Sequence, residues 1–319
     1  MSLARFHGKS VPIVIGMLLV ALFLWLQHTD RAGVGAVRDR LEYLAYDLRL
    51  KASLPRDPQP PAEILIVDID ETSLQQEGRW PWPRARLAEL VAALQDAGAA
   101  VVALDMVLSE PETDPAADLL RRLPPELAAG ALADFLADAA RHRNGDARLA
   151  EQFAAGDTVL GVIFHNQEST PVGALPPPLF TIPADAAPYL VPALSTYTAN
   201  VDILQNATDY AGFLTALPDS DGVIRRAPLL LRHGDGIYPA LALETARLYL
   251  LSERPGLHTT SLGTATAIEA IDIAGHRIPT DAAGRVLVPY RGPGGSFSRL
   301  SAAALLRGDF NADDIANRI

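Results

Sequence analysis

Residues 63–107 constrain the fold more than any other stretch of this chain. Ile64, Leu65, Ile66, Val67 and Ile69 form a nearly continuous apolar run, the pattern of a strand covered on both faces of a parallel sheet. Pro83 suits the first position of a helix. Leu87, Leu90, Val91 and Leu94 then recur on one face to about Ala97, and Gly98 supplies a stop. A second apolar run, AAVVALDMV at 99–107, reads as another strand. A strand–helix–strand unit of this kind implies a right-handed parallel crossover.

The remaining pattern extends an α/β architecture. Residues 110–155 are acidic, alanine-rich and mostly helical, and read as an insertion. Residues 157–165 form a third strand, and the proline-rich stretch 170–200 reads as a long surface loop. Residues 212–250 hold short strands, turns at Pro218–Gly222 and His233–Gly236, and a helix from about 239 to 251. Short strands are expected at 268–273, 276–279 and 285–290, and a short helix at 301–307. No repeat period is evident.

The N-terminus suggests a membrane segment. Residues 11–26 (VPIVIGMLLVALFLWL) are uncharged and apolar, and Gln27, His28 and Thr29 extend the uncharged run to 19 residues. A spanning helix needs ~20 residues. Arg5 and Lys9 precede the run and place its N-terminal side in the cytoplasm, while Trp25 sits where an interfacial anchor belongs. The expected division is a cytoplasmic N-terminus at 1–10, a transmembrane helix at 11–29, an amphipathic stalk helix and Pro-rich linker at 30–62, and an extracytoplasmic domain at 63–319. A cleaved signal peptide, with Val34-Gly35-Ala36 as its small-residue site, is the rival reading. In the stalk, Val37, Leu41, Leu44 and Leu48 are spaced by 4, 3 and 4 residues, with Tyr43, Tyr46 and Leu50 alongside. That face either packs on the domain or pairs with a second copy in a homodimer.

Composition excludes several functions. Cysteine is absent among the 319 residues, which removes disulfides, thiolate chemistry and thiol-ligated metal sites. Beyond residue 26 there are 25 basic against 38 acidic residues, so nucleic acid, which needs a basic footprint, is not an expected partner. The seven histidines are scattered without metal-ligand spacing. His165 ends an apolar strand and reads as a packed or capped side chain. No metal or cofactor is expected.

Two acids after the first strand raise an enzymatic alternative. Asp68-Ile-Asp-Glu-Thr72 spells the D-x-D-x-T that opens haloacid-dehalogenase-type phosphatases, with Asp68 as nucleophile and Asp70 as general acid. Gly308-Asp309-Phe-Asn-Ala-Asp313 spells a late magnesium motif. The chemistry also requires a cation between these motifs, yet both lysines, Lys9 and Lys51, precede Asp68. Residues 301–307 also read as helix rather than as the strand that such a motif follows.

Three segments, taken together, point elsewhere. They are ILIVDIDETSLQQEGRWPWPR at 64–84, AGAAVVALDMVLSEPE at 97–112 and GFLTALPDSDGVIRRAPLLLRHGDGIYPALALETARLYL at 212–250, continued by VPYRGPGGSFSRLSAAALLRGDF at 288–310. In order and spacing they resemble the type 2 CHASE family, the cyclase- and histidine-kinase-associated sensory extracellular domains. The resemblance implies an extracytoplasmic input domain in the bacterial inner membrane, non-catalytic itself. An adenylate or guanylate cyclase, a histidine kinase or a serine/threonine kinase would serve as effector outside this chain. An envelope module that binds another protein is a further alternative. For a small-molecule or protein signal, the candidate binding residues lie at the carboxyl ends of the first two strands and in the adjoining loops, an edge where open α/β sheets often hold ligands. They are Asp68, Asp70 and Asp105, with Arg79, Arg84 and Arg291 to hold an anion. Mutual ion pairing of these charges is the competing reading, as is packing rather than ligand stacking for Trp80 and Trp82.

Overall fold

The computed structural model describes residues 4–28, 32–55, 60–113, 115–127, 129–142 and 144–319. They fall into two compact units. The first comprises residues up to 58 together with Tyr290–Gly292, and its helices are α1 (Ala4–His28) and α2 (Ala32–Ser53). The expected transmembrane helix is corrected here. Residues 11–28 are helical, but among the described residues no helix is long and apolar enough to cross a membrane. The apolar part, 11–26, rises only about 24 Å at 1.5 Å per residue, short of the ~30 Å of bilayer hydrocarbon. Its extension relies on polar Gln27, His28 and Thr29. Residues 29–31 and 56–59, which belong to the expected span, stalk and linker, lie outside the described residues.

The second unit comprises Gln59–Pro289 and Pro293–Ile319. Its first half runs β1 (Leu65–Asp68), α3 (Glu71–Glu77), α4 (Arg84–Asp96), β2 (Val102–Ala103), α5 (Pro115–Arg121), α6 (Ala131–His142), α7 (Gly145–Ala155) and β3 (Thr158–His165). Then follow β4 (Phe180–Thr181), β5 (Thr196–Thr198), α8 (Asp202–Gln205), β6 (Ala211–Phe213), β7 (Arg226–Pro228), β8 (Leu230–His233), β9 (Gly236–Pro239) and α9 (Leu241–Tyr249). The last elements are β10 (Gly256–Leu262), β11 (Ala265–Ile273), β12 (His276–Pro279), β13 (Arg285–Leu287), β14 (Ser298–Ser301) and α10 (Ala302–Leu306).

β3 is the central strand, as its apolar run implies. It pairs in parallel with β2 (Val102 opposite Thr158) and with β6 (Leu160 opposite Ala211), and antiparallel with β5. β1 pairs in parallel with β14, Leu65 opposite Ser298 through Asp68 opposite Ser301. β1 and β2 are not joined to each other directly, contrary to the simplest crossover. The Ile319 amide donates to the Glu63 carbonyl (2.8 Å), the Leu65 amide to the Ile319 carbonyl (2.9 Å) and the Ala100 amide to the Arg318 carbonyl (2.8 Å). Arg318 and Ile319 therefore lie between β1 and β2. β2 is shorter than the expected 99–107: on its N-terminal side the Ala100 and Val101 amides bond to the Arg318 carbonyl, and beyond its C-terminal side the Leu108 amide bonds to the Asn200 side chain. Antiparallel sheets β4-β9-β8, β10-β11-β12 and β13-β7 complete the unit.

α4 buries the anticipated face, Leu87, Leu90, Val91 and Leu94. Gly98, at φ 83°, ends it in the left-handed conformation that glycine adopts without strain. The insertion at 110–155 needs correcting in its last third. α7 packs against α4, and its Leu149 and Phe153 are 0% and 1% exposed in the main core. Each such side chain contributes roughly 1.5–3 kcal/mol by burial, so α7 is part of the domain. At the opposite face β6 and α9 meet through Gly212, where an added Cβ would lie 2.4 Å from Leu241 Cα. Only glycine permits that approach.

Candidate functional site at the end of the first strand

The chain leaves β1 at Asp68 and turns at once into α3. Asp70 is the N-cap: its Oδ1 accepts from the Ser73 amide (2.8 Å), the Ser73 hydroxyl (2.7 Å) and the Ser301 hydroxyl (2.9 Å). Ser73 is fully buried and its hydroxyl also accepts from the Ala303 amide (3.0 Å) at the start of α10. One carboxylate thus fastens the starts of α3 and α10 to the β1–β14 pair. Donation by the Ser73 hydroxyl, then by its amide, holds the Asp70 carboxyl below its ordinary value of 3.8, with Ser301 adding to the effect. Asp68 takes a different partner, accepting from Arg299 of β14 at 3.0 Å, with both side chains about half exposed.

The segment 78–84 is organised from within. The Trp82 indole donates to the Gly78 carbonyl (2.9 Å) and is 3% exposed, whereas Trp80 is 41% exposed and inclined to it at 6.2 Å between ring centroids. Trp82 packs as expected. Arg84 turns inward: its Nε donates to Asp146 Oδ1 (3.1 Å), an Nη to the Glu110 carbonyl (3.0 Å), and its amide to Glu112 Oε1 (2.8 Å). The Glu112 amide donates to the second Asp146 oxygen at 2.9 Å. Arg84 and Asp146 side chains are 11% and 10% exposed. This cluster joins the start of α4, residues 110–112 and the start of α7.

The five sequence candidates in the second unit therefore do not form one site. Asp68 and Asp70 sit together at the end of β1. Arg84 belongs to the Asp146 cluster. Arg79 and Asp105 are exposed, and Arg291 is exposed in the first unit. Ser73, Arg299, Ser301, Glu112 and Asp146 were not anticipated. Asp70-x-x-Ser73 carries the spacing of an N-cap to its third helical residue, a signal legible in sequence. The others are contributed from 28 to 231 residues away, and no local pattern marks them.

The geometry limits what these groups can do. Among the described residues, no group of three or more His, Asp or Glu side chains is placed to hold a metal ion. Asp309 stands after helix α10 rather than after a strand, and its carboxylate lies 3.7 Å from Arg307. His165 meets the Thr198 hydroxyl at 3.3 Å. A cleft lined by Ala88, Glu89, Ala92, Arg148, Glu151 and Gln152 along α4 and α7 has a volume of about 100 Å³, against roughly 300–1,000 Å³ for a small-molecule site.

Comparison with known proteins decides the family. The CHASE2 domain family matches residues 15–319. The chain belongs to that family. CHASE2 is an extracellular sensory domain family, and the segments at 64–84, 97–112 and 212–250 that carry the resemblance correspond here to β1–α4, the β2 region and β6–α9. No curated protein and no solved structure matches the chain.

Proposed function

We propose that this CHASE2 chain is the extracytoplasmic input part of a bacterial signalling system, relaying its signal to a cyclase or protein kinase that these 319 residues do not contain. The family match over residues 15–319 carries the reading. The geometry adds support, because the acids that suggest catalysis are engaged in capping and ion pairing. A signal acts only through different affinities for two conformations. The route to an output runs through β1, whose first residues share backbone hydrogen bonds with Ile319 and which leads directly into Asp70, the acceptor for Ser73 of α3 and Ser301 of β14. A displacement of β1 is felt at both places.

Two measurements test this. The transcript carrying this coding sequence is expected to encode a cyclase or kinase catalytic domain in the same or a neighbouring reading frame, and an unrelated metabolic operon would count against the relay. The purified chain is expected to show no magnesium-dependent phosphatase activity that Asp68→Asn removes. Such activity would overturn the non-catalytic reading in favour of the phosphatase.

A further inference from the structure

Within the second unit, one sheet ends on an unprotected strand. β10 (Gly256–Leu262) pairs with β11 on one side, and among the described residues no strand pairs with its other side. Which backbone groups face that open side follows from β11. The Thr266 amide donates to the Pro188 carbonyl (2.9 Å), and the Thr266 carbonyl accepts from the Leu190 amide (2.9 Å). The Ile268 amide donates to the Ala282 carbonyl (3.2 Å), and the Glu269 carbonyl accepts from the Thr280 amide (2.9 Å). Two residues on, Ile271 stands opposite Ile278 of β12. Thr266, Ile268 and Ile271 therefore turn their backbones away from β10. Their cross-strand partners are Ser261, Thr259 and Leu257, and in an antiparallel ladder the partner of a turned-away residue is itself turned away. The bulge lies in β11 at Glu269, so β10 keeps an unbroken alternation. The amides and carbonyls of Leu257, Thr259 and Ser261 thus line about 13 Å of open edge, with no hydrogen-bond partner among the described residues. Natural edges are blunted by charge, proline or cover. GLHTTSL has no Lys, Arg, Asp, Glu or Pro, and Thr259 through Leu262 are exposed.

We propose that the β10 edge takes up an extended segment of another polypeptide as an added antiparallel strand. The proposal stands apart from the relay reading, because the edge is present whatever the output. Another extended backbone supplies matching donors and acceptors at every second residue over that length. A helix satisfies its own backbone groups, and a small molecule does not span the row. The side chains narrow the segment. His258, Thr260 and Leu262 share one face, and Leu262 is 58% exposed. An apolar or β-branched residue opposite Leu262 covers it, and the uncharged strand calls for an uncharged centre in the segment. A second copy of β10 fits less well. The register that engages all three outward residues is centred on Thr259, with Leu257 opposite Ser261 of the other copy. It sets Leu262 against Gly256 of the other copy, which has no side chain to cover it.

The test uses the full chain and a fluorescently labelled heptapeptide, Val-Thr-Val-Thr-Val-Thr-Val, titrated by anisotropy. Its threonines meet Leu257, Thr259 and Ser261, and a valine meets Leu262. Binding is expected to saturate below about 1 mM peptide. Thr259→Pro removes the central outward amide and leaves the bonds to β11, and an edge strand tolerates proline where its N–H faces outward. It is expected to weaken binding at least tenfold with an unchanged circular dichroism spectrum and melting temperature. Thr259→Val keeps the amide and is expected to bind like the wild type. Hydrogen exchange reads the same edge without any substitution. The amides of Leu257, Thr259 and Ser261 are expected to exchange fast in the free chain and slowly with peptide bound, whereas those of His258, Thr260 and Leu262, bonded to β11, are slow in both. Absence of saturable binding, binding indifferent to Thr259→Pro, or binding lost in Thr259→Val overturns the proposal. So does protection of the outward amides that grows with protein concentration in the absence of peptide, which would give the edge to a second copy.

Discussion

Substitution of Asp146 by alanine separates a structural from a ligand-binding role for Arg84. In the wild type the Asp146 carboxylate accepts from the Arg84 guanidinium at 3.1 Å and from the Glu112 amide at 2.9 Å, and both ionic side chains are about one-tenth exposed. Removing the acid leaves a guanidinium with little water around it and one peptide N–H without its acceptor. Breaking one side of a buried ion pair costs about 3–5 kcal/mol. With a urea m-value of about 3 kcal/mol/M the unfolding midpoint should fall by about 1–1.7 M. Trp82, two residues from Arg84, gives a fluorescence probe beside the change. The double substitution Arg84→Met with Asp146→Leu removes both charges and fills the space with apolar atoms. It should be less destabilising than Asp146→Ala alone, leaving chiefly the unpaired Glu112 amide, at about 1–3 kcal/mol. If Asp146→Ala unfolds within about 1 kcal/mol of the wild type, the pair is not the clamp its geometry implies, and Arg84 is available to an anion after all.

Three further outcomes follow from the same coordinates. Asp70 has a depressed carboxyl pKa in the fold, so its contribution is present above the unfolded value of about 3.8 and is lost as pH falls through the lower folded value. Melting temperature against pH should therefore decline less steeply below about pH 4 in Asp70→Asn than in the wild type; equal slopes would refute the assignment. Gly212→Ala places a Cβ 2.4 Å from Leu241 Cα and 2.5 Å from its amide nitrogen, which only backbone movement relieves. A loss of about 1–3 kcal/mol or more is expected by chemical denaturation. Deleting Asn317–Ile319 removes the backbone bonds to Glu63, Leu65, Gly98 and Ala100. At about 0.5–1.5 kcal/mol each, the deletion should destabilise the unit by several kcal/mol and speed hydrogen exchange in β1 and β2.

The parts of the fold that could be read in advance are those whose burial is complete and local. β3 and α4 announce themselves because nearly every apolar residue in one, and one helical face of the other, enters the core. β10 and β14 carry no such signal. Most of β10 is exposed or half-exposed at a sheet edge, so its sequence, GLHTTSL, has no alternation to detect. β14 is the polar tetrapeptide SRLS, and it becomes a strand through pairing with β1 across more than 230 residues. β2 shows the converse: its flanks are apolar enough for a strand, but the Ala100 and Val101 amides bond to Arg318 and the Leu108 amide to the Asn200 side chain. The candidate site divides in the same way. Asp70 has a helix-capping partner three residues on, which is a local pattern. The partners of Asp68 and Arg84 come from distant elements, so their roles became visible only with the fold.

The acid pair also shows why a catalytic spelling is weak without its environment. In a D-x-D-x-T enzyme the second acid must give up a proton to a leaving group, which calls for a pKa near the working pH. Asp70 has been moved the other way. Three donors converge on its Oδ1, stabilising the ionised form and lowering the proton's availability at neutral pH. Asp68, the nominal nucleophile, lies beside Arg299 of β14, an arginine that stands between the two motifs where the phosphatase pattern has a lysine. The same features suit a strand end that must hold two helices and a neighbouring strand in register. An ionised carboxylate with several donors is a firm joint, and one that a change in β1 would have to break. In a sensory domain that strength is useful, because a joint that holds until a defined displacement breaks it separates two states more sharply than a compliant loop.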